Sequence, residues 1–240
     1  MKKVFIIANW KSNLTMEAAK KWFEEESSIE VFITHVLILK DQNRPQSSTD
    51  ELEKEVILCP SFTLLLKIKE LIEEKKLPFK LGAQNLSPFG PGAYTGEVNA
   101  QQVKELADYV IIGHSERRNN FGETETQLKE KVKQALAAGL TPIFCVQNEA
   151  TFVPEGVKLV AYEPPTAIGT GNPDTPENAE KIAEAIKNKY KDVEFVLYGG
   201  SVTSENIRNF VQMEHLNGAL IGGASLDPVS LAAIIKKTSL

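Results

Sequence analysis

In this chain of 240 residues a single carboxylate, Glu163, ends an apolar run and stands directly before two prolines, in "AYEPPTAIGTG". Proline fixes φ and stiffens the chain beside the acid, whereas the Gly-Thr-Gly that follows permits dihedrals other residues avoid. His114 leaves a second apolar run, in "YVIIGHSERR", immediately before a predicted helix start. The positive end of a helix dipole disfavours imidazolium, so a ring placed there stays neutral and can donate a hydrogen bond to a substrate oxygen. Glu116 and Arg117 beside it read as an ion pair in a supporting role, and His35 and His215 have no comparable setting. In "ANWKSN", Asn9 and Lys11 are two apart and share one side of an extended chain, with Trp10 on the other. A lysine at that point can face an anion. "YGGSV" (residues 198–202) and "IGGAS" (residues 221–225) each set paired glycines after an apolar run. Exposed backbone N–H groups at such turns, beside helix starts, form an anion nest. No Cys/His spacing points to a metal, and no nucleophile elbow is present. A carboxylate, a neutral histidine, a lysine and a phosphate nest fit proton abstraction beside a carbonyl in a small phosphorylated substrate, without cofactor.

These residues are far apart in the chain, and a scaffold must bring them together. Short apolar, β-branched runs recur: "VFIIAN", "VILCP", "FKLGAQN", "YVIIGH", "PIFCV", "KLVAYE", "FVLYGG" and "ALIGG". Most are followed by an amphipathic stretch, such as "ETQLKEKVKQALAAG", where Leu128, Val132 and Leu136 predict a buried helical stripe and Gly139 its end. Runs that are continuously apolar suit strands buried on both faces, as in a parallel sheet wrapped by helices. Eight such units in one chain predict an α/β fold, a closed (β/α)8 barrel forming one domain over residues 1–240. Asn9, Asn85, His114, Glu163 and Ser201 then cluster at the C-terminal strand ends, where barrels of this kind carry their chemistry.

Two segments break the rhythm. Residues 27–54 form an insertion between helix 1 and strand 2, with "DQNRPQSSTD" read as a polar loop. It is expected to protrude at the face opposite the catalytic mouth and to serve packing or association. Only "QNEATFVPEG" separates strands 5 and 6, a reduced crossover too short for a full helix. Apolar surface left near Phe152 and Val153 would then either attract a partner subunit, giving a tetramer, or be covered by the segment folding back.

Composition narrows the function classes. The chain is 42% hydrophobic and 25% charged with a net charge of −5, globular and mildly acidic, with no basic stripe for nucleic acid. Cys59 and Cys145 lie inside apolar runs and read as buried free thiols of a reducing compartment. The longest apolar run, "VFITHVLIL", is too short to span a bilayer, so a cytoplasmic protein without membrane contact is expected.

The motifs "ANWKSN", "GAQN…GAYTGE", "VIIGHSERR…FGE", "AYEP…AIGTG", "YGGSVT" and "IGGASL", in this order over nearly the whole chain, resemble the triosephosphate isomerase family. The resemblance implies a TIM barrel interconverting dihydroxyacetone phosphate and D-glyceraldehyde 3-phosphate through an enediolate, in glycolysis and gluconeogenesis. A glutamate base, a neutral histidine and a closing lid are known properties of that family and are not deductions from spacing. The resemblance assigns the base to Glu163, the electrophile to His114 and the charge-offsetting cation to Lys11. It gives Asn9 as a substrate-binding neighbour and Glu116 as a supporting carboxylate. Backbone N–H groups of Gly169, Ser201, Gly222 and Gly223 would hold the phosphate. Thr95 is similar to the residue that reaches into the next subunit, which implies a homodimer or homotetramer. The prolines and the Gly-Thr-Gly tail then become the two hinges of a lid that keeps water off the enediolate. Pro165 and Thr166 depart from the family's usual Val-Trp at this point. The alternative is a non-catalytic barrel that only binds a phosphorylated ligand.

Overall fold

Each strand of the chain pairs in parallel with the next, and the eighth pairs with the first, so the sheet closes into a barrel. The computed structural model describes residues 2–37, 53–167 and 172–238. The strands are β1 (Lys3–Asn9), β2 (Glu53–Cys59), β3 (Phe79–Ala83), β4 (Tyr109–Ile112), β5 (Thr141–Val146), β6 (Leu159–Tyr162), β7 (Phe195–Tyr198) and β8 (Leu216–Ile221). All eight predicted runs are present, and β8 begins three residues before its quoted run.

Successive strand residues enter two different cores, which is why the runs are apolar throughout. Phe5 and Ile7 of β1 pack inside the barrel with Ile57, Ile143 and Leu197. Val4, Ile6 and Ala8 pack outward, beneath the helices. The outer layer comprises α1 (Met16–Trp22), α2 (Glu26–Leu37), α3 (Phe62–Glu74), α4 (Ala100–Lys104), α5 (Ser115–Phe121), α6 (Glu125–Ala137), α7 (Pro176–Lys189), α8 (Ile207–Val211) and α9 (Pro228–Lys237). Local signals set several of their starts. Thr15, Asn99, Thr124 and Thr175 each cap a helix by accepting a backbone N–H, a contact worth about 1 kcal/mol apiece.

The buried stripe of α6 differs from the one read off the sequence. Leu128 and Val132 are buried, but the stripe continues through Ala135, and Leu136 is 40% exposed. Two steps of four overshoot the 3.6-residue turn by about 80°, whereas position i+7 stays in line. Gly139 does follow the helix end in the left-handed region, at φ 74°.

The insertion requires a correction. Residues 27–37 do not protrude: they belong to α2, which packs on α9 and β2. Phe32 is fully buried and stacks on Trp22, with centroids 5.5 Å apart and planes 8° from parallel. It also meets Phe79 edge-on at 4.9 Å. The apolar run hides a helical spacing, because Ile29, Phe32 and Val36 share one face while Glu26 and Glu30 lie off it. The expected polar loop, residues 41–50, lies outside the described residues.

The reduced crossover holds no helix, as expected, and it covers its own gap. Val153 and Val157 are buried, and Phe152 is half-buried beneath the Lys129 ammonium, 4.4 Å from its centroid. Lys189 Nζ donates to the Glu149 carbonyl at 3.0 Å and Tyr190 Oη to the Thr151 carbonyl at 3.0 Å. Gly156 N–H reaches Asp192 at 2.9 Å. Of the two expected arrangements, the described residues take the second, with the segment folded back over the strands.

Truncating Phe32 to alanine removes the aromatic that joins α2 to β3 and should destabilise the protein by about 3–5 kcal/mol in urea unfolding. An unchanged midpoint would place α2 outside the core.

Candidate active site

Strand ends converge at one mouth of the barrel, and the chain turns sharply there. Beyond β1, Asn9 is buried and its Oδ1 accepts the Lys11 N–H at 3.1 Å. Lys11 has φ 51°, a left-handed conformation uncommon for a residue other than glycine. Neighbours hold it there. Trp10 N–H donates to the Cys59 carbonyl at 3.1 Å. Gln84 Nε2 donates to the Lys11 and Cys59 carbonyls, at 2.9 Å each. Lys11 Nζ lies 2.6 Å from Glu116 Oε1, and Trp10 is buried on the opposite side against Trp22.

The Glu116–Arg117 pair read from adjacency therefore does not form. Glu116 serves Lys11, and Arg117 binds Glu123, which also receives Lys131. Asn85 faces that second network, accepting from Lys131 Nζ at 2.6 Å, and is absent from the cavity lining. Gln84 is the residue that sequence reasoning missed. It and Asn85 are adjacent, so an extended chain turns them to opposite sides, and the sequence does not say which side is the site.

His114 caps α5 with extended ψ, and its Nδ1 accepts the Glu116 N–H at 3.2 Å. A ring nitrogen that accepts carries no proton, so the hydrogen-bond network assigns the neutral tautomer with its proton on Nε2. That Nε2 lies 2.9 Å from Glu163 Oε1. Glu163 is 1% exposed, and its Oε2 accepts the Ser115 N–H at 2.8 Å. Two donors thus compensate the removal of its carboxylate from water. Cys145 lies behind it, its thiol pushed well above the ordinary range by burial and then by the Glu163 charge. Gly199 closes the other flank, since a Cβ there would meet Glu163 Cγ at 2.9 Å and the Tyr162 carbonyl at 3.0 Å.

The remaining wall consists of the turns after β7 and β8. Gly222 precedes a 3-10 helix (Gly223–Leu226), and a Cβ on Gly222 would come within 3.3 Å of Lys11 Cε. Glycine lets the lysine stem lie directly against this turn. Ser201 Oγ donates to the Ala167 carbonyl at 2.9 Å, tying the turn after β7 to the segment after the prolines. A cavity of about 330 Å³ is lined by Asn9, Lys11, His114, Glu163, Ser201, Gly222 and Gly223, with neighbouring residues of the same two turns. Besides Asn85, three of the predicted site residues lie outside this lining. Glu116 stands behind Lys11, Thr95 is exposed outside the cavity lining, and Gly169 lies outside the described residues. His215 instead pairs with Glu180 at 2.8 Å. Both cysteines are free and buried.

The family model for triosephosphate isomerase matches residues 4–238. The triosephosphate isomerase of Dictyoglomus thermophilum is 37% identical, over 98% of this chain and 100% of that protein. That of Aquifex aeolicus is 36% identical, over 96% and 97%. A crystal structure of triosephosphate isomerase from Bartonella henselae superposes with a TM-score of 0.77 at 28% identity, covering 98% of each chain.

The tautomer is directly measurable. Nitrogen-15 spectra of the imidazole at neutral pH should show Nδ1 unprotonated and Nε2 carrying the hydrogen. A protonated Nδ1 would contradict the capping bond.

Proposed function

We infer the division of labour in this cavity from one premise: the chain belongs to the triosephosphate isomerase family and interconverts dihydroxyacetone phosphate and D-glyceraldehyde 3-phosphate. The observation that carries the assignment is the contact between Glu163 and His114 in a cavity that Lys11 and two glycine turns also line. Glu163 and His114 face each other 2.9 Å apart, and Lys11, Ser201, Gly222 and Gly223 line the same cavity.

The phosphate binds the N–H groups of Ser201, Gly222 and Gly223, and Gly169 is assigned to the same task from the sequence motif. Lys11 offsets the charge of the phosphate and of the enediolate, steadied by Glu116 and with Asn9 beside it. The substrate carbonyl then takes the Nε2–H of His114 that Glu163 now accepts. This exchange polarises the carbonyl and frees Oε1 of the carboxylate. Glu163 removes a proton from the carbon beside the carbonyl, giving an enediolate, and returns a proton to the neighbouring carbon. His114 moves the hydroxyl proton from one oxygen to the other, passing through no cationic form. The stiff Pro164–Pro165 step next to the base supports a carboxylate that moves and is then held. A non-catalytic barrel would have no use for Glu163 and His114 in contact within this cavity.

Association through the Thr95 loop finds support in its composition. Phe89 and Tyr94 stack at 4.3 Å yet remain 46% and 45% exposed, an apolar pair suited to a second copy of the chain. Among the described residues no helix is long and apolar enough to cross a membrane, and a place in glycolysis supports the cytoplasmic reading.

Glu163→Gln should lower kcat by roughly 10²–10⁴-fold or more while phosphate-analogue binding persists, because the lost step is proton transfer. Undiminished kcat would remove Glu163 from the role of base. In sedimentation, the wild type should run as a dimer and Tyr94→Asp should shift it toward monomer; a monomeric wild type would refute the loop contact.

A further inference from the structure

A carboxylate outside the cavity makes contacts that neither the fold nor the assigned chemistry has used. Asp174 stands just before α7. Its N–H donates to Tyr198 Oη at 2.7 Å, and its Oδ2 accepts from Tyr162 Oη at 3.1 Å and from Asn178 Nδ2 at 2.7 Å. Its Oδ1 takes the Thr175 N–H at 2.8 Å. The two tyrosines are register partners on β6 and β7, both buried, with ring centroids 6.5 Å apart.

Each tyrosine immediately precedes a residue of the base's surroundings. Tyr162 is followed by Glu163. Tyr198 is followed by Gly199, whose N–H donates to the Tyr162 carbonyl at 2.7 Å and whose missing Cβ leaves room for Glu163 Cγ. A single aspartate therefore joins both strands beside the carboxylate. The helix start does not need it, because Thr175 already caps α7 through the Asn178 N–H at 3.2 Å and Pro176 opens the first turn. Burial, and then the Asp174 charge, hold the Tyr162 phenol far above the ordinary range. Tyr198 is pushed up to about 12, chiefly by burial. Both hydroxyls stay protonated at any ordinary pH, so Tyr162 always has a hydrogen to give.

We propose that Asp174 is a positioning residue for the isomerisation: its carboxylate, bonded to the Tyr162 hydroxyl, fixes the end of β6 from which Glu163 reaches the substrate. The proposal rests on Glu163 being the base. A displacement of about 1 Å at a reacting group can cost on the order of 100-fold in rate, so a bond one residue away has leverage.

Four variants of the whole chain test it: Asp174→Ala, Asp174→Asn, Tyr162→Phe and the Asp174→Ala/Tyr162→Phe pair. For each, kcat and KM are measured in both directions together with the thermal midpoint. Asp174→Ala should lose about 10- to 100-fold in kcat with KM little changed. Tyr162→Phe should lose a similar factor, and the double variant no more than the worse single one, since both remove one bond. Asp174→Asn, whose side-chain oxygen still accepts, should recover most of the loss. A wild-type kcat in Asp174→Ala with a lowered midpoint would show a purely structural residue and overturn the proposal. Multiplying losses in the double variant would overturn it equally. Should Asp174→Ala fail to fold, Tyr162→Phe removes the same bond at nearly constant volume, and its kcat decides. Undiminished kcat in Glu163→Gln would instead refute the base assignment on which the proposal stands.

Discussion

Closing a parallel sheet on itself buries both faces of every strand, and a polar side chain is then easily satisfied only where a strand ends. The closure depends on a seam. At Gly218 of β8, with φ 122°, a Cβ would lie 1.9 Å from the Phe5 carbonyl, so the last strand reaches the first only because that residue is glycine. Inside, Ile57, Ile143 and Leu197 fill the barrel and exclude water. The polar residues collect at the mouth as a consequence.

Within that mouth each functional group is held by an unfavourable arrangement that its neighbours offset. A residue with positive φ costs about 1–3 kcal/mol, and at Lys11 the Gln84 amide, the Asn9 side chain and the Trp10 N–H restrain the turn. The resulting geometry delivers the ammonium to Glu116 on one side and to the Gly222 turn on the other. Glu163 is similarly constrained. Removing a carboxylate from water requires donors, and the two it finds come from consecutive residues of one helix start, His114 and Ser115. The same helix start supplies the N–H that the His114 Nδ1 accepts. One short turn after β4 thus sets the tautomer of His114 and the resting place of the Glu163 carboxylate.

The irregular crossovers obey the same rule of covered faces. Where the crossover between β5 and β6 holds no helix, Val153 and Val157 turn inward, and Lys189 at the end of α7 and Tyr190 just after it donate to the loop carbonyls. Where extra sequence follows α1, Phe32 and Val36 join the outer core through α2. Outer strand faces tolerate different cover, provided that it is apolar toward the sheet.

The sequence by itself determined the eight strands, the barrel and the cluster of Asn9, Lys11, His114, Glu163 and the two glycine turns. Apolar periodicity reports burial directly, and a strand that is apolar throughout must be covered on both faces. It did not determine which polar groups meet. Glu116 joins Lys11, 105 residues away, in place of the adjacent Arg117, and Gln84 rather than Asn85 faces the Lys11 turn. Nor did it show that residues 27–37 form a packed helix, because their β-branched composition masks a 3.6-residue spacing. Tertiary structure decided these matters for a common reason. Hydrogen bonds and ion pairs depend on distances between strand ends, and those distances exist only once the sheet has closed.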